Sequence, residues 1–262
     1  MVVVNKPAGL PTHPSGKYRL NSLTEVLVGQ LGYTVHPTHR LDRMTSGIVV
    51  LGKTAQATSR FRTDLTNSNN VHKEYYAKVV GRFPLEDTTF DFPLFDIDAN
   101  RDRASFMKAF ANRKPAQTKF KLVRYDLKDD SSLVKCVPVT GRTHQIRKHL
   151  ALMGHPIAND SLYKRPVFRE ISLLLEKKNI ESEKEHESAV SEAFTRLQLA
   201  AKQSRLDKLE TGNETCPECQ VQLFKDSTPD EMFIYLHARQ YTCQENGVTK
   251  WDYQAPLPPW AR

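Results

Sequence analysis

At 262 residues, 39% of them hydrophobic, with a mean hydropathy of −0.54, the chain is long enough to bury a full core as one large domain or two small ones. No apolar run approaches the roughly 20 residues that span a bilayer, no secretory leader opens the chain, and four cysteines make no disulfide scaffold. A membrane-spanning helix or a disulfide-stapled scaffold is not expected. An intracellular protein of a reducing compartment is expected, cytoplasmic first, with nucleus and mitochondrion as alternatives. The net charge of +8 is uneven: residues 1–165 carry 26 Lys+Arg against 14 Asp+Glu, a net +12, and residues 166–262 carry 12 against 16, a net −4. A phosphate-bearing partner of the first part is the natural inference.

Met1-Val2-Val3-Val4-Asn5 reads as a strand that begins abruptly, so further residues are expected to precede it. A loop with breakers at Pro7, Gly9, Pro11 and Pro14 follows, then a short helix over Ser22–Leu31, capped at Asn21 or Ser22. Ile48–Leu51 is expected as a strand, 55–66 as a helix and Tyr75–Val80 as a strand. Between Arg101 and Arg124 eight basic residues face one acid, Asp102, with Phe106, Phe110 and Phe120 interleaved. That pattern fits a basic groove with stacking rings, or a hairpin whose aromatics point inward. Strands are expected at Thr118–Tyr125 and Leu133–Val139.

Over Thr143–Met153 the apolar residues Ile146, Leu150 and Met153 share one helical stripe, leaving His144, Arg147 and Lys148 to other faces, and Gly154 suits the C-terminal cap. Cations near this helix N-terminus run against its dipole, which a carboxylate or an anionic ligand would relieve. Residues 166–215 read as two helices joined by the charged run Glu176–Ser188, and Met232–His237 as a strand. The domain reading is a core over 1–165, a charged helical insertion over 166–223, and terminal strands over 224–262 that complete the core.

His39-Arg40-Leu41-Asp42-Arg43 sets one carboxylate between two guanidinium groups, just before the expected strand at Ile48. Nearby positive charge favours an ionised acid, so Asp42 is poised as a nucleophile or base, and the arginines can hold a polyanion. A surface salt bridge is the plain alternative. A zinc site would need Cys216 and Cys219 with both His237 and Cys243. A zinc nucleobase deaminase would pair His72-Lys73-Glu74 with Cys216-Pro217-Glu218-Cys219, but Thr215 stands where its proline belongs. No nucleophile elbow, P-loop or dinucleotide fingerprint occurs.

These motifs, taken in order, resemble the RluA family of RNA pseudouridine synthases. They are Val3-Val4-Asn5-Lys6-Pro7-Ala8-Gly9-Leu10 with His13-Pro14, the Asp42 segment with Thr45-Ser46-Gly47, Lys73-Glu74-Tyr75-Tyr76-Ala77, and Lys114-Pro115-Ala116-Gln117-Thr118. Gly141-Arg142-Thr143-His144-Gln145-Ile146-Arg147 through Asp160, and Leu236-His237-Ala238, continue the match. The resemblance implies an α+β fold with a mixed, mainly antiparallel sheet and flanking helices. It implies isomerisation of uridine to pseudouridine in RNA with no metal or organic cofactor, no membrane and no obligate protein partner. Asp42 matches the catalytic aspartate, Tyr75 a tyrosine that stacks on the target base, and Arg147 the basic partner of the aspartate. Arg40 matches an RNA contact, and Arg43, Lys114, Arg142 and His144 are expected beside it on RNA. The segment from Pro14 to Leu23 and the tail ending Pro258-Pro259-Trp260-Ala261 look most like the eukaryotic branch that modifies tRNA near the anticodon loop. A catalytically silent RNA-binding protein on the same fold is the alternative of a different class.

Overall fold

The computed structural model describes residues 1–15, 18, 20–66, 70–95, 102–166, 170, 183–206, 215 and 228–262. Among the described residues nine strands form one sheet, in the order β1 (Val2–Lys6), β3 (Ser46–Gly52), β8 (Leu236–Glu245), β4 (Val71–Val80), β7 (Ser131–Pro138), β6 (Gln117–Asp126) and β5 (Thr88–Asp91). The short β2 (His36–Pro37) pairs with β3, and β9 (Val248–Gln254) with β8. All pairings are antiparallel except β3 with β8. The sheet is thus mixed and mainly antiparallel, and a strand from the end of the chain lies between two from its beginning.

That parallel pairing depends on Gly47. Its φ is +115°, and a Cβ there would sit 2.2 Å from the Ala238 carbonyl oxygen. Only glycine tolerates both the backbone angle and the approach. β3 can therefore start against β8 directly after the Asp42 segment. The fully buried run Val49, Val50 and Leu51 then anchors one core cluster with α1 (Leu23–Leu31) and α2 (Ala55–Thr66). A second cluster gathers Val79, Phe120, Val134, Ile146 and Leu150. Tyr75 packs against both clusters, so the site described below lies where they meet.

Four expectations are corrected by the packing. The segment from Arg103 to Ala111 is a helix, α3, which Asp102 caps by accepting a 2.9 Å hydrogen bond from the Ser105 amide. Within it Phe106, and on β6 Phe120, are core residues, 1% and 2% exposed, as the inward-pointing alternative has it; the Phe110 side chain lies outside the described residues. The helix α4 (Gln145–Leu152) is buried on every face, Arg147 and Lys148 included. Its polar groups are met by partners: Gln145 Nε2 donates to the Gln117 carbonyl and Thr118 Oγ1, both at 2.9 Å, and Lys148 Nζ donates to the Phe95 carbonyl at 2.8 Å. Burial of this kind is tolerable because each buried donor is paired.

The other two concern boundaries. Residues 183–188 of the charged run are helical, part of α5 (Glu183–Leu206), because Glu and Lys favour helix and do not break it. Val190, Phe194 and Leu197 form its buried stripe, and the remainder of the expected helix pair lies outside the described residues. Before β8, Pro229–Met232 is a 3₁₀ turn closed by a reciprocal Thr228–Glu231 capping box, so the strand starts only at Leu236. No helix of the described residues is long and apolar enough to cross a membrane.

Candidate active site

The Asp42 segment is irregular backbone, and its shape is imposed by the Pro/Gly loop after β1. Lys6 is fully buried and donates Nζ to the carbonyls of Pro7 at 2.8 Å, Leu10 at 2.7 Å and Arg43 at 3.3 Å. Burial pushes its ammonium down to about 8, against the opposing pull of Asp42. The Gly9 amide donates to the Arg43 carbonyl at 2.8 Å. Thr12 Oγ1 both donates to the Leu41 carbonyl and accepts from the Leu41 amide, each at 3.2 Å, and Leu41 is buried. The Thr45 amide closes the turn on the Asp42 carbonyl at 3.0 Å. Asp42 is thus held from both sides, with its carboxylate facing a cleft of about 510 Å³.

Across the cleft stands α4. Arg147 Nη1 lies 3.4 Å from Asp42 Oδ2, the pairing expected from the sequence. Its main partner, however, is Asp160, which accepts from Arg147 Nε at 2.6 Å and Nη2 at 3.0 Å in a bidentate fork. Asp160 is 1% exposed and its Oδ1 also accepts the amides of Leu162 at 3.0 Å and Tyr163 at 3.2 Å. The Tyr163 ring covers the guanidinium at 4.9 Å. Burial works against the Arg147 charge, but Asp160, Tyr163 and Asp42 outweigh it and raise its pKa. One fixed cation therefore serves two carboxylates, one buried and structural, the other facing the cleft.

His144 begins α4 with a left-handed φ of 54°, which turns its ring into the same corner. Nδ1 is 2.8 Å from the Tyr163 hydroxyl and Nε2 is 3.5 Å from Asp42 Oδ2. Burial pushes its pKa down to about 4, with Asp42 opposing and Arg147 and Lys148 assisting. The imidazole is consequently neutral at pH 7, so its approach to Asp42 is a dipole contact and Arg147 supplies the charge.

The opposite wall is phenolic. On β4 the pairing with β8 shifts between Glu74 and Tyr75, so that Tyr75 opposes Ala238 and Lys73 opposes Tyr241. Tyr75, two residues on from Lys73 and on the same face, thus lies diagonally to Tyr241, with their hydroxyls hydrogen-bonded and ring centroids 5.9 Å apart. Burial pushes Tyr75 up to about 12, the Tyr241 hydrogen bond opposing and Asp42 assisting. Tyr241 is raised further by the same burial and by Tyr75. His39 packs on Tyr241 at 5.0 Å and accepts the Val50 amide on Nε2 at 3.1 Å; burial and then Lys73 push it down to about 3. Every titratable ring on this wall is uncharged at pH 7.

Asp42, Tyr75, Arg147, Arg40, Arg142 and His144 all line the cleft. Arg43 turns instead over the Tyr18 ring at 5.3 Å, and Lys114 lines a neighbouring cavity. Sequence reasoning missed Asp160 as the principal arginine partner, Lys6 as the clamp on the loop, and Lys73 and Tyr241 as cleft residues. Lys6 and Asp160 stood inside recognised motifs and only their roles were hidden. Tyr241 carried no signal beyond strand alternation. The His72–Glu74 pair lies on β4, 3.7 Å apart, with Glu74 also paired to Lys135. Cys216 and Cys219 lie outside the described residues; among those described, no group of three or more His, Cys, Asp or Glu could hold a metal ion.

The model of the RNA pseudouridylate synthase family matches residues 1–152, which include Asp42, Tyr75 and Arg147. The chain belongs to this family. It is 35% identical to the mitochondrial tRNA pseudouridine(32) synthase of Saccharomyces cerevisiae, across the whole chain and 57% of that protein. It is 32% identical to the yeast tRNA pseudouridine(31) synthase, again along its full length and over 68% of the relative. RNA pseudouridine synthase 7 of Arabidopsis thaliana is 35% identical with 63% of its length covered. The chain thus spans about three fifths of these curated relatives. The solved structure of human RNA pseudouridylate synthase domain containing 1 aligns over 99% of this chain and 82% of its own, at 19% identity and a TM-score of 0.60, which supports the shared fold.

Proposed function

We propose that this chain isomerises uridine to pseudouridine in RNA, with tRNA, in the anticodon stem-loop, as the substrate. The observation that carries the reading is the cleft-facing Asp42 carboxylate 3.4 Å from a buried Arg147 that Asp160 holds in place, in a chain of this family. Asp42 attacks the ribose or the base, or removes a sugar proton; by each route the N1–C1′ bond breaks, the base turns, a C5–C1′ bond forms, Asp42 is released, and the proton lost from carbon 5 is balanced by one gained at N1. Tyr75 offers a ring on which the extruded base stacks and a neutral hydroxyl near carbon 5. The exposed Arg40 and Arg142 at the cleft take backbone phosphates, with Arg43 and Lys114 further out on the same basic surface. No cofactor enters this scheme.

Under the same proposal residues 1–165 and 224–262 form the catalytic unit, because β8 lies between β3 and β4, and 166–223 is inserted into it. The cytoplasm is the proposed compartment; the name of the yeast relative makes the mitochondrion the alternative that fractionation would test.

The test incubates the protein with unfractionated tRNA and maps pseudouridine at nucleotide resolution. New pseudouridine at defined positions is expected, abolished by Asp42→Asn while RNA affinity stays within about threefold, since the lost group is an acid and not a phosphate ligand. An unchanged map with RNA binding intact would instead identify a catalytically silent RNA-binding protein.

A further inference from the structure

The cleft has a neighbour. A second cavity, of about 310 Å³, opens on the far side of the Gly141–Thr143 loop, between that loop and the C-terminal half of α3. Gly141, Arg142 and Thr143 line both cavities, so the partition between them is only three residues wide. Each cavity therefore shares that stretch of chain as a wall. A strand with one nucleotide in the cleft would pass this shared wall with its next one.

The second cavity is built, not incidental. Its apolar side is formed by Leu94 and Phe95, 6% and 8% exposed, with Ala109 of α3. Leu94 and Lys114 exchange backbone hydrogen bonds of 2.8 and 2.9 Å, and the Phe95 carbonyl is fixed by Lys148. α3 is braced from behind by α5: Phe106 stacks on Phe194 with centroids 4.3 Å apart and meets Phe95 edge-on at 5.5 Å. Asn112 and Thr143 add neutral polar groups, and the rim carries Lys114 and Arg142, both exposed. Arg142 Nε is tied to the Pro115 carbonyl at 3.0 Å, which stands that side chain between the cavities. The buried Lys148 also lines the cavity. A slot with one apolar side, hydrogen-bonding groups opposite and two exposed cations on its rim matches one nucleotide: base inside, phosphate outside.

We propose that this cavity receives the base of the nucleotide immediately adjacent, in the RNA strand, to the isomerised uridine, with the intervening phosphate on Arg142 and Lys114. The inference rests on the proposed function and adds a determinant of sequence context to it. It also gives α3 and α5 a role in catalysis at a distance: they shape the slot that helps fix which uridine enters the cleft.

Photo-crosslinking tests it. p-Benzoylphenylalanine replaces Ala109 and, in a second variant at the exposed C-cap of α3, Asn112; each is irradiated with unfractionated tRNA, and cross-links and pseudouridines are mapped on the same molecules. Cross-links at a nucleotide directly next to the pseudouridine are expected. Cross-links two or more nucleotides away, or none from a variant that still forms product, would overturn the inference. Ala109→Trp, which fills the slot, should raise KM about tenfold, the scale of one lost base-stacking contact; an unchanged KM in a folded variant counts against it. Absence of product from the unaltered chain sinks the proposed function and this inference together, whereas product with misplaced cross-links sinks the inference alone.

Discussion

The two walls of the cleft solve the burial of polar groups in opposite ways. On the α4 wall charge is kept and compensated: a buried guanidinium lies between a fully buried Asp160 and a half-exposed Asp42. On the β4–β8 wall charge is avoided: two phenols share a hydrogen bond and His39 is held neutral. Compensation costs desolvation but fixes a cation beside the reactive carboxylate, while neutrality leaves an apolar, ring-lined surface for a base. Under the proposed function, one wall serves attack on the nucleotide and the other stacking of its base.

The contrast is broken most directly on the charged wall. Asp160→Asn leaves Arg147 buried without its fork, and should cost about 3 kcal/mol or more of stability. Asp42→Asn leaves the fork intact and should cost under about 1 kcal/mol, even though it abolishes product. Thermal melts of the two variants measure the difference; equal melting temperatures would show that Arg147 does not depend on Asp160.

Acid probes both walls together. His39 is pushed down to about 3 and His144, His149 and His237 to about 4, each first by burial, from an ordinary 6.5. Their folded-state values lie below the unfolded ones, so the unfolded chain binds more protons between pH 6.5 and about 4. The stability they contribute is complete above pH 6.5 and is lost as pH falls through this window, by up to about 1.4 kcal/mol per pH unit for each histidine. Denaturant melts from pH 7.5 to 4.5 should show the decline. At the other end Tyr75, pushed up to about 12 from 10, contributes stability that is lost as pH rises from 10 towards 12. A flat profile on the acid side would mean that these imidazoles are not held neutral.

The smallest effect tests the phenolic wall alone. Tyr241→Phe removes one hydroxyl of the pair and should cost about 1 kcal/mol of stability. It should lower kcat about tenfold by loosening Tyr75, with KM changed less. A kcat equal to that of the unaltered chain would show that the pair is structural only.

Much of this was legible in the chain itself. The basic half, the Asp42 segment between arginines, the strand at Ile48 and the Gly154 cap are local features, readable from charge, alternation and helical spacing. Ordered motifs then placed Asp42, Tyr75 and Arg147 together before any coordinates did. The bidentate Asp160, the diagonal Tyr75–Tyr241 pair and the second cavity were not legible. Each depends on which elements neighbour which and, for the tyrosines, on the β4–β8 register, neither of which leaves a periodic trace. The burial of Arg147 and Lys148 differs from the expectation for a related reason: periodicity describes one face of an element, whereas the surrounding elements decide how many faces are covered. The sequence by itself determined which groups are the candidates for the chemistry; only the tertiary structure decided their partners, protonation and neighbours, because those follow from packing between elements distant in the chain.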